Sequence, residues 1–135
     1  MQYLSTRGAG PASLDEALVA GIAADGGLFV PARLPDFETG DFDGASSLRE
    51  VARILFEPFF EGSSLSAELD AVLAETFSFP IVRTPLPGGD WSLLELYHGP
   101  TAAFKDVGAG FLAACLTRLC GDVNAPLTIL VATSG

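Results

Sequence analysis

Basic side chains are scarce in this sequence. Lysine and arginine together number 7, against 17 aspartates and glutamates, for a formal net charge of −10. A nucleic-acid-binding surface needs a basic stripe, so the balance argues against that class of partner. It argues equally against attachment to an anionic membrane surface. The acidic excess reads most simply as a solvated face. Long apolar runs are absent as well. No stretch reaches the roughly 18 apolar residues that a membrane-crossing helix needs. Residues 1–10 carry Arg7 and several polar side chains but lack the apolar segment of a signal peptide. Cysteine is limited to Cys115 and Cys120. Their offset on an expected helix places them about 140° apart around its axis. That suits neither a shared metal nor a disulfide, and two buried, reduced thiols of a cytoplasmic protein are expected. No internal repeat or low-complexity segment is present.

What remains is a globular composition. Of the 135 residues, 49% are hydrophobic and 10% aromatic, which is enough apolar surface to build a core. The length suits one domain, or one domain and part of a second.

The chain punctuates itself clearly. Residues 1–8 read as a short extended segment. Ser13 with Glu16, and Ser47 with Glu50, have the form of capping boxes, in which serine and glutamate each satisfy a free amide of the other. The first predicts a helix over residues 14–24, ended by Asp25-Gly26-Gly27. The second predicts a helix to about Phe56, stopped by Pro58. Between them, residues 28–30 suggest a short buried strand and residues 36–44 a loop. Leu65, Leu69, Val72, Leu73 and Phe77 recur at helical spacing and predict a helix over residues 65–76. The phenylalanines at 56, 59, 60, 77 and 79 read as core.

Three prolines and a glycine pair make residues 80–89 a boundary too short to be a flexible linker. Beyond it, residues 91–97 read as strand, 106–119 as helix and 127–132 as a strand covered on both faces. Strand, helix and strand form one βαβ unit, which predicts a parallel sheet with a right-handed crossover. The expected class is therefore α/β. A small α-rich domain over residues 1–80 precedes the start of a parallel-sheet domain over 81–135. A single βαβ unit leaves sheet edges unpaired, so a fragment of a larger protein is expected.

The chemistry concentrates at residues 98–106, HGPTAAFKD. Lys105 is the only lysine, and His98 the only histidine. A free lysine amine is protonated at neutral pH, but partial burial or the positive end of a helix favours its neutral, nucleophilic form. Such a lysine can form a Schiff base with a carbonyl. The plainer reading is a lysine with its stem on apolar surface and its head in water. Asp106 suits a helix N-cap. Gly108 and Gly110, inside an expected helix, suggest close packing of that helix on a sheet or a cofactor.

The stretch HGPTAAFKD resembles the cofactor-lysine motif of the threonine synthases, pyridoxal-phosphate enzymes of the tryptophan-synthase-β type. YLSTRG at residues 3–8 and ADGGLFVP at 24–31 resemble the opening of the same family. The likeness extends along the whole chain, which corresponds to roughly the first third of the family's length. It implies that Lys105 holds pyridoxal 5'-phosphate as a Schiff base, exchanges with the substrate amine and shuttles protons. It implies that Phe104 packs in the cofactor pocket and that Thr101 hydrogen-bonds there. Ser134 and Gly135 would begin the loop that holds the substrate carboxylate, where helix-start amides suit an anion. His98 would lie near the site without an assigned step. Ser5, Thr6 and Arg7 would either approach a phosphate-bearing substrate or serve the structure. The activity implied is conversion of the small molecule O-phospho-L-homoserine and water to L-threonine and phosphate. Two alternatives stay open on the residues. One is a phospholyase acting on a related phosphorylated amino alcohol, and the other is a non-catalytic binding module.

Overall fold

The computed structural model describes residues 1–121, and both capping boxes start helices in it. Ser13 Oγ accepts from the Glu16 amide, and Glu16 Oε2 accepts from the Ser13 amide at 2.8 Å. Ser47 and Glu50 repeat the exchange. Helix α1 covers Leu14–Ala20 and helix α2 covers Leu48–Phe60. Neither ends where expected. Helix α1 stops one turn early because Gly21 adopts φ 68° and donates its amide back to Ala17, the left-handed ending that glycine permits. Residues 25–27 form a separate turn. Helix α2 runs through Pro58 instead of stopping there. Proline removes one helical hydrogen bond, but continuing the helix buries Phe60 to 2% exposure. Burying a phenylalanine contributes about 1.5–3 kcal/mol, the same order as the roughly 3 kcal/mol that proline costs inside a helix.

The expected helix from residue 65 divides in two. A 3-10 turn at Ser66–Glu68 leads into helix α3, Leu69–Thr76. Leu65, Leu69, Val72 and Leu73 are buried and form the centre of the core. Helix α4, Lys105–Cys120, packs against both α1 and α3. The two parts of the chain are thus joined by a shared core. Gly110 faces Thr76 of α3, where a Cβ would sit 3.8 Å from the threonine Cα. This glycine lies at a helix–helix crossing. At Gly108 the same position is open space. Phe56, Phe59, Phe60 and Phe77 join the core as expected, Phe111 of α4 meets Phe56 at a tilt and Phe60 edge-to-face, and Phe79 stays outside the cluster. Cys115 is fully buried, whereas Cys120 is only half-buried; both are free thiols.

Two short antiparallel sheets flank the helices. Strand β1, Tyr3–Ser5, pairs with β2, Phe29–Pro31, with Tyr3 opposite Pro31. Residues 28–30 were expected to be a buried strand, but Leu28 and Val30 are exposed, while Phe29 and Tyr3 of the same ribbon pack on the core. Inside the 36–44 loop lies a 3-10 turn, Thr39–Phe42. The boundary at 80–89 also contains structure. Strand β3, Val82–Pro85, pairs with β4, Ser92–Glu95, from Val82↔Glu95 to Pro85↔Ser92. Val82 and Thr84 are β-branched and suit a strand, and Pro85 ends it where a donor is dispensable. Strand β4 is shorter than the expected 91–97, and its pairing is antiparallel. The α/β class holds, while the second strand of the expected βαβ unit, residues 127–132, lies outside the described residues. Among the described residues no helix is long and apolar enough to cross a membrane.

Candidate functional site

Lys105 is the first residue of α4, where the helix presents its unpaired amides and positive end. The residue before it, Phe104, occupies the N-cap position but has no oxygen to cap with. Asp106 is therefore not the N-cap that the sequence suggested. It lies inside the first turn, and its carboxylate reaches back across the loop. Oδ2 accepts from the Thr101 amide at 2.9 Å, and Oδ1 accepts from Thr101 Oγ1 at 2.5 Å. Those two bonds hold the carboxyl below the usual range despite some desolvation. Gly99 packs directly on this carboxylate, and any Cβ at position 99 would collide with it.

The clamp encloses a strained residue. Ala102 has φ 55°, a left-handed conformation for a side chain with a Cβ. Such a conformation costs about 1–2 kcal/mol and persists only where surrounding bonds hold it. Here the Ala102 amide donates to Gly99 at 3.1 Å, and the Asp106 amide donates to Ala103 at 3.1 Å. The loop from Gly99 to Asp106 is thus fixed from both sides, and Lys105 is fixed with it.

The Lys105 side chain is exposed, so of the two settings considered for it, partial burial and a helix start, the structure shows the helix start. Among the described residues it makes no ion pair and no hydrogen bond, which leaves a primary amine without an acidic partner. Phe104 is 65% exposed beside it, and Thr101 is exposed on the same loop. Thr101, Phe104 and Lys105 therefore come together at one helix start. Ser134 and Gly135 lie outside the described residues. The Ser5-Thr6-Arg7 trio makes structural bonds. Ser5 Oγ donates to Asp25 at 2.7 Å, Thr6 Oγ1 accepts from the Leu28 amide, and Arg7 Nη1 donates to the Asp25 carbonyl.

His98 precedes the clamp and has a partner that was missed in the sequence. Its Nε2 lies 2.6 Å from Glu95 Oε2, at the end of β4. The other carboxylate oxygen accepts from Thr84 Oγ1 of β3 at 2.5 Å. Bonds from Thr84 and then His98 hold the Glu95 carboxyl below its ordinary range. The Tyr97 ring rests 4.7 Å from the imidazole. The available signal was an acid three residues before the sole histidine, but the Thr84 contact needs the hairpin.

The match that decides the family covers the first half of the chain. A family model described as "Threonine synthase N terminus" matches residues 2–77. The chain belongs to the threonine synthase family. It is 37% identical to the threonine synthase of Pseudomonas aeruginosa over its full length, covering 30% of that protein. It is 39% identical to threonine synthase of Escherichia coli, over 91% of this chain and 28% of that one. In structure it resembles a crystal structure of PLP-bound threonine synthase from Brucella melitensis, with a TM-score of 0.77 and 33% identity. That likeness covers 90% of this chain and 28% of the other. The chain thus spans less than a third of the length of these threonine synthases.

Proposed function

We propose that this chain forms the lysine-bearing N-terminal part of a pyridoxal-phosphate-dependent threonine synthase. The complete enzyme would convert O-phospho-L-homoserine and water to L-threonine and phosphate by β,γ-elimination followed by water addition. The observation that carries this reading is the Lys105 amine, unpaired among the described residues and held at the start of α4 by the Thr101–Asp106 clamp. An unpartnered primary amine next to an exposed aromatic ring fits an aldehyde cofactor. A lysine engaged in an ion pair would not. The PLP-bound relative supports the same assignment.

When bound, pyridoxal phosphate supplies an electron sink that stabilises carbanions next to the substrate nitrogen. Lys105 would be the residue to hold it, through Nζ, and the same amine would move protons. Phe104 would pack in the cofactor pocket, and Thr101 would hydrogen-bond at its edge. Ser134 and Gly135, outside the described residues, would begin the loop that holds the substrate carboxylate. In this reading residues 1–80 are the N-terminal domain and 81–135 open the cofactor-binding domain, of which this chain carries a part. The protein works in the cytoplasm on a small-molecule substrate.

The test uses the intact protein. It is incubated with pyridoxal phosphate, reduced with borohydride and mapped by peptide mass. A pyridoxyl group on Lys105, lost in Lys105→Arg, is the expected result, with phosphate release from O-phospho-L-homoserine. Label on the N-terminal amine alone, or on no residue, would overturn the cofactor assignment. Label at Lys105 without phosphate release from that substrate would overturn the substrate.

A further inference from the structure

The two β ribbons are not equally covered. In the first, Tyr3 and Ser5 are buried and Phe29 packs on the core. In the second, from Val82 to Tyr97, no residue is buried and none joins the core. The helices pack on one another, whereas β3 and β4 contact chiefly each other. Paired residues of an antiparallel ribbon share a face, and successive residues alternate between faces. Leu93, opposite Thr84, therefore lies on one face, and Leu94, opposite Arg83, on the other. Leu93 is 47% exposed and Leu94 56%. Trp91, at the tip of the ribbon, is 79% exposed. Among the described residues this sheet has only two strands, so the outer edge of β4 carries unpaired amides and carbonyls. A two-stranded ribbon alone is marginal in water, and one with apolar side chains on both faces needs a cover on each.

We infer that the β3–β4 ribbon is a docking surface whose occupant is the remainder of the same polypeptide. That part adds a strand to the outer edge of β4 and lays apolar side chains over both Leu93 and Leu94. This inference rests on the function proposed above, in which the chain is one part of a longer enzyme. The chain spans less than a third of the length of the threonine synthases it matches, so such an enzyme has ample chain to cover two faces. A second copy fits less well. A two-fold contact buries one patch on each copy, and here opposite faces are open. Each copy would also bring a net charge of −10 to the contact, and like net charges oppose association. The polar centre of the ribbon is ready for burial. The Glu95 side chain is 15% exposed, and its oxygens are already bonded to Thr84 and His98. A carboxylate paired on both oxygens can lose its remaining water without leaving an acceptor unsatisfied. Arg83, on the Leu94 face, can lay its stem on apolar surface and keep its head in water. The loop that carries Lys105 follows β4, so the same docking brings the rest of the enzyme to the base of that loop.

The experiment places one cysteine on each face, Leu93→Cys and Leu94→Cys, in the intact protein. A disulfide reagent is added to the native and the denatured protein, and peptide mass separates the new thiols from Cys115 and Cys120. Borohydride labelling of Lys105 with pyridoxal phosphate is run in parallel. Both new cysteines should react at least about 100-fold more slowly in the native protein than in denaturant, as covered sites do. That protection should not change on dilution. Native rates within about tenfold of the denatured ones would overturn the inference, and with Lys105 still labelled the proposed function would stand. Protection at one position alone would refute a cover on both faces. Protection that fades on dilution would assign the surface to a second copy and overturn the assigned occupant. Lasting protection in a protein that takes no label at Lys105 would uphold the surface and remove the proposed cofactor role instead. Should the variants fail to fold, hydroxyl-radical oxidation of Trp91 in the unsubstituted protein reads the same ribbon. It should be at least about tenfold slower than in denaturant, and equal rates would overturn the docking.

Discussion

Asp106 grips Thr101 through both carboxylate oxygens, one on the backbone amide and one on the hydroxyl. That pair sets where α4 begins and keeps Ala102 in its left-handed conformation. The bonds lower the Asp106 pKa, so the sign of the pH effect follows. The contribution is present above the unfolded value, near 4, and is lost as pH falls through the lower folded value. Replacing Asp106 with alanine should remove the clamp at every pH while α4 and its core contacts persist. The helix start would then sample several loop conformations. The rate of pyridoxal phosphate capture at Lys105 should fall by about tenfold, since small misplacements of a reacting group are costly. Thr101→Val keeps one of the two bonds and should lose less. Borohydride trapping over a time course measures both; equal capture rates in parent and Asp106→Ala would refute the clamp's role.

Gly108 and Gly110 were alike in the sequence, and the structure separates them. At Gly110 a methyl group would make ordinary contact with Thr76 at 3.8 Å, but a longer side chain would enter α3. Gly110→Ala should therefore be stabilising by up to about 1 kcal/mol through helix propensity. Gly110→Leu should be destabilising by about 1–3 kcal/mol through overpacking. Gly108→Leu meets open space and should not carry that penalty. Urea denaturation of the three variants checks the contrast, and equal midpoints for the two leucine variants would show that the α3–α4 crossing is not tight at Gly110.

The sequence was most informative where a local rule governs. Ser13 and Ser47 announced their helices because a capping box is a contact within four residues. The apolar rows of α3 and α4 announced a core for a similar reason. Errors arose where distant contacts outweighed local ones. Pro58 should end a helix, but burial of Phe60 against Phe111, far along the chain, keeps it going. Within residues 80–89, where proline and glycine dominate, the strand β3 was not legible because it forms by pairing with β4. In the candidate site, Lys105 stood out by being unique. Glu95 did not, because its role depends on Thr84 arriving from the paired strand.

The two thiols should differ sharply in reactivity. Cys115 is fully buried between α4 and the helices it covers, and burial pushes its pKa up to about 11. The thiolate is the reactive form, so Cys115 should be silent toward a disulfide reagent in the native protein. Cys120 is half-buried at the end of α4 and should react first. Mass mapping after brief labelling should find Cys120 modified, and Cys115 only after denaturant is added. Early label on Cys115 would mean that α4 opens readily from α1 and α3.

Asp15 supplies the clearest acid-sensitive contact within the core region. It sits in the first turn of α1, where its Oδ2 accepts from the Ser64 amide at 3.0 Å and its Oδ1 accepts from Ser63 Oγ. These bonds tie α1 to the segment that leads into α3, across 49 residues of chain. Burial alone would raise the Asp15 pKa, but the bonds from Ser63 and Ser64 outweigh it and the net shift is downward. The stabilisation is therefore complete above about pH 4 and disappears as pH falls through the folded value. Asp15→Asn retains the shape but not the charge, and charged hydrogen bonds are worth more than neutral ones. The variant should lose about 1–2 kcal/mol at neutral pH. The gap between variant and parent should close as pH falls through the lowered folded value of Asp15, below which both side chains are uncharged. Thermal melts at pH 7 and in acid measure this directly, and a gap that stays constant with pH would show that the Asp15 charge contributes nothing.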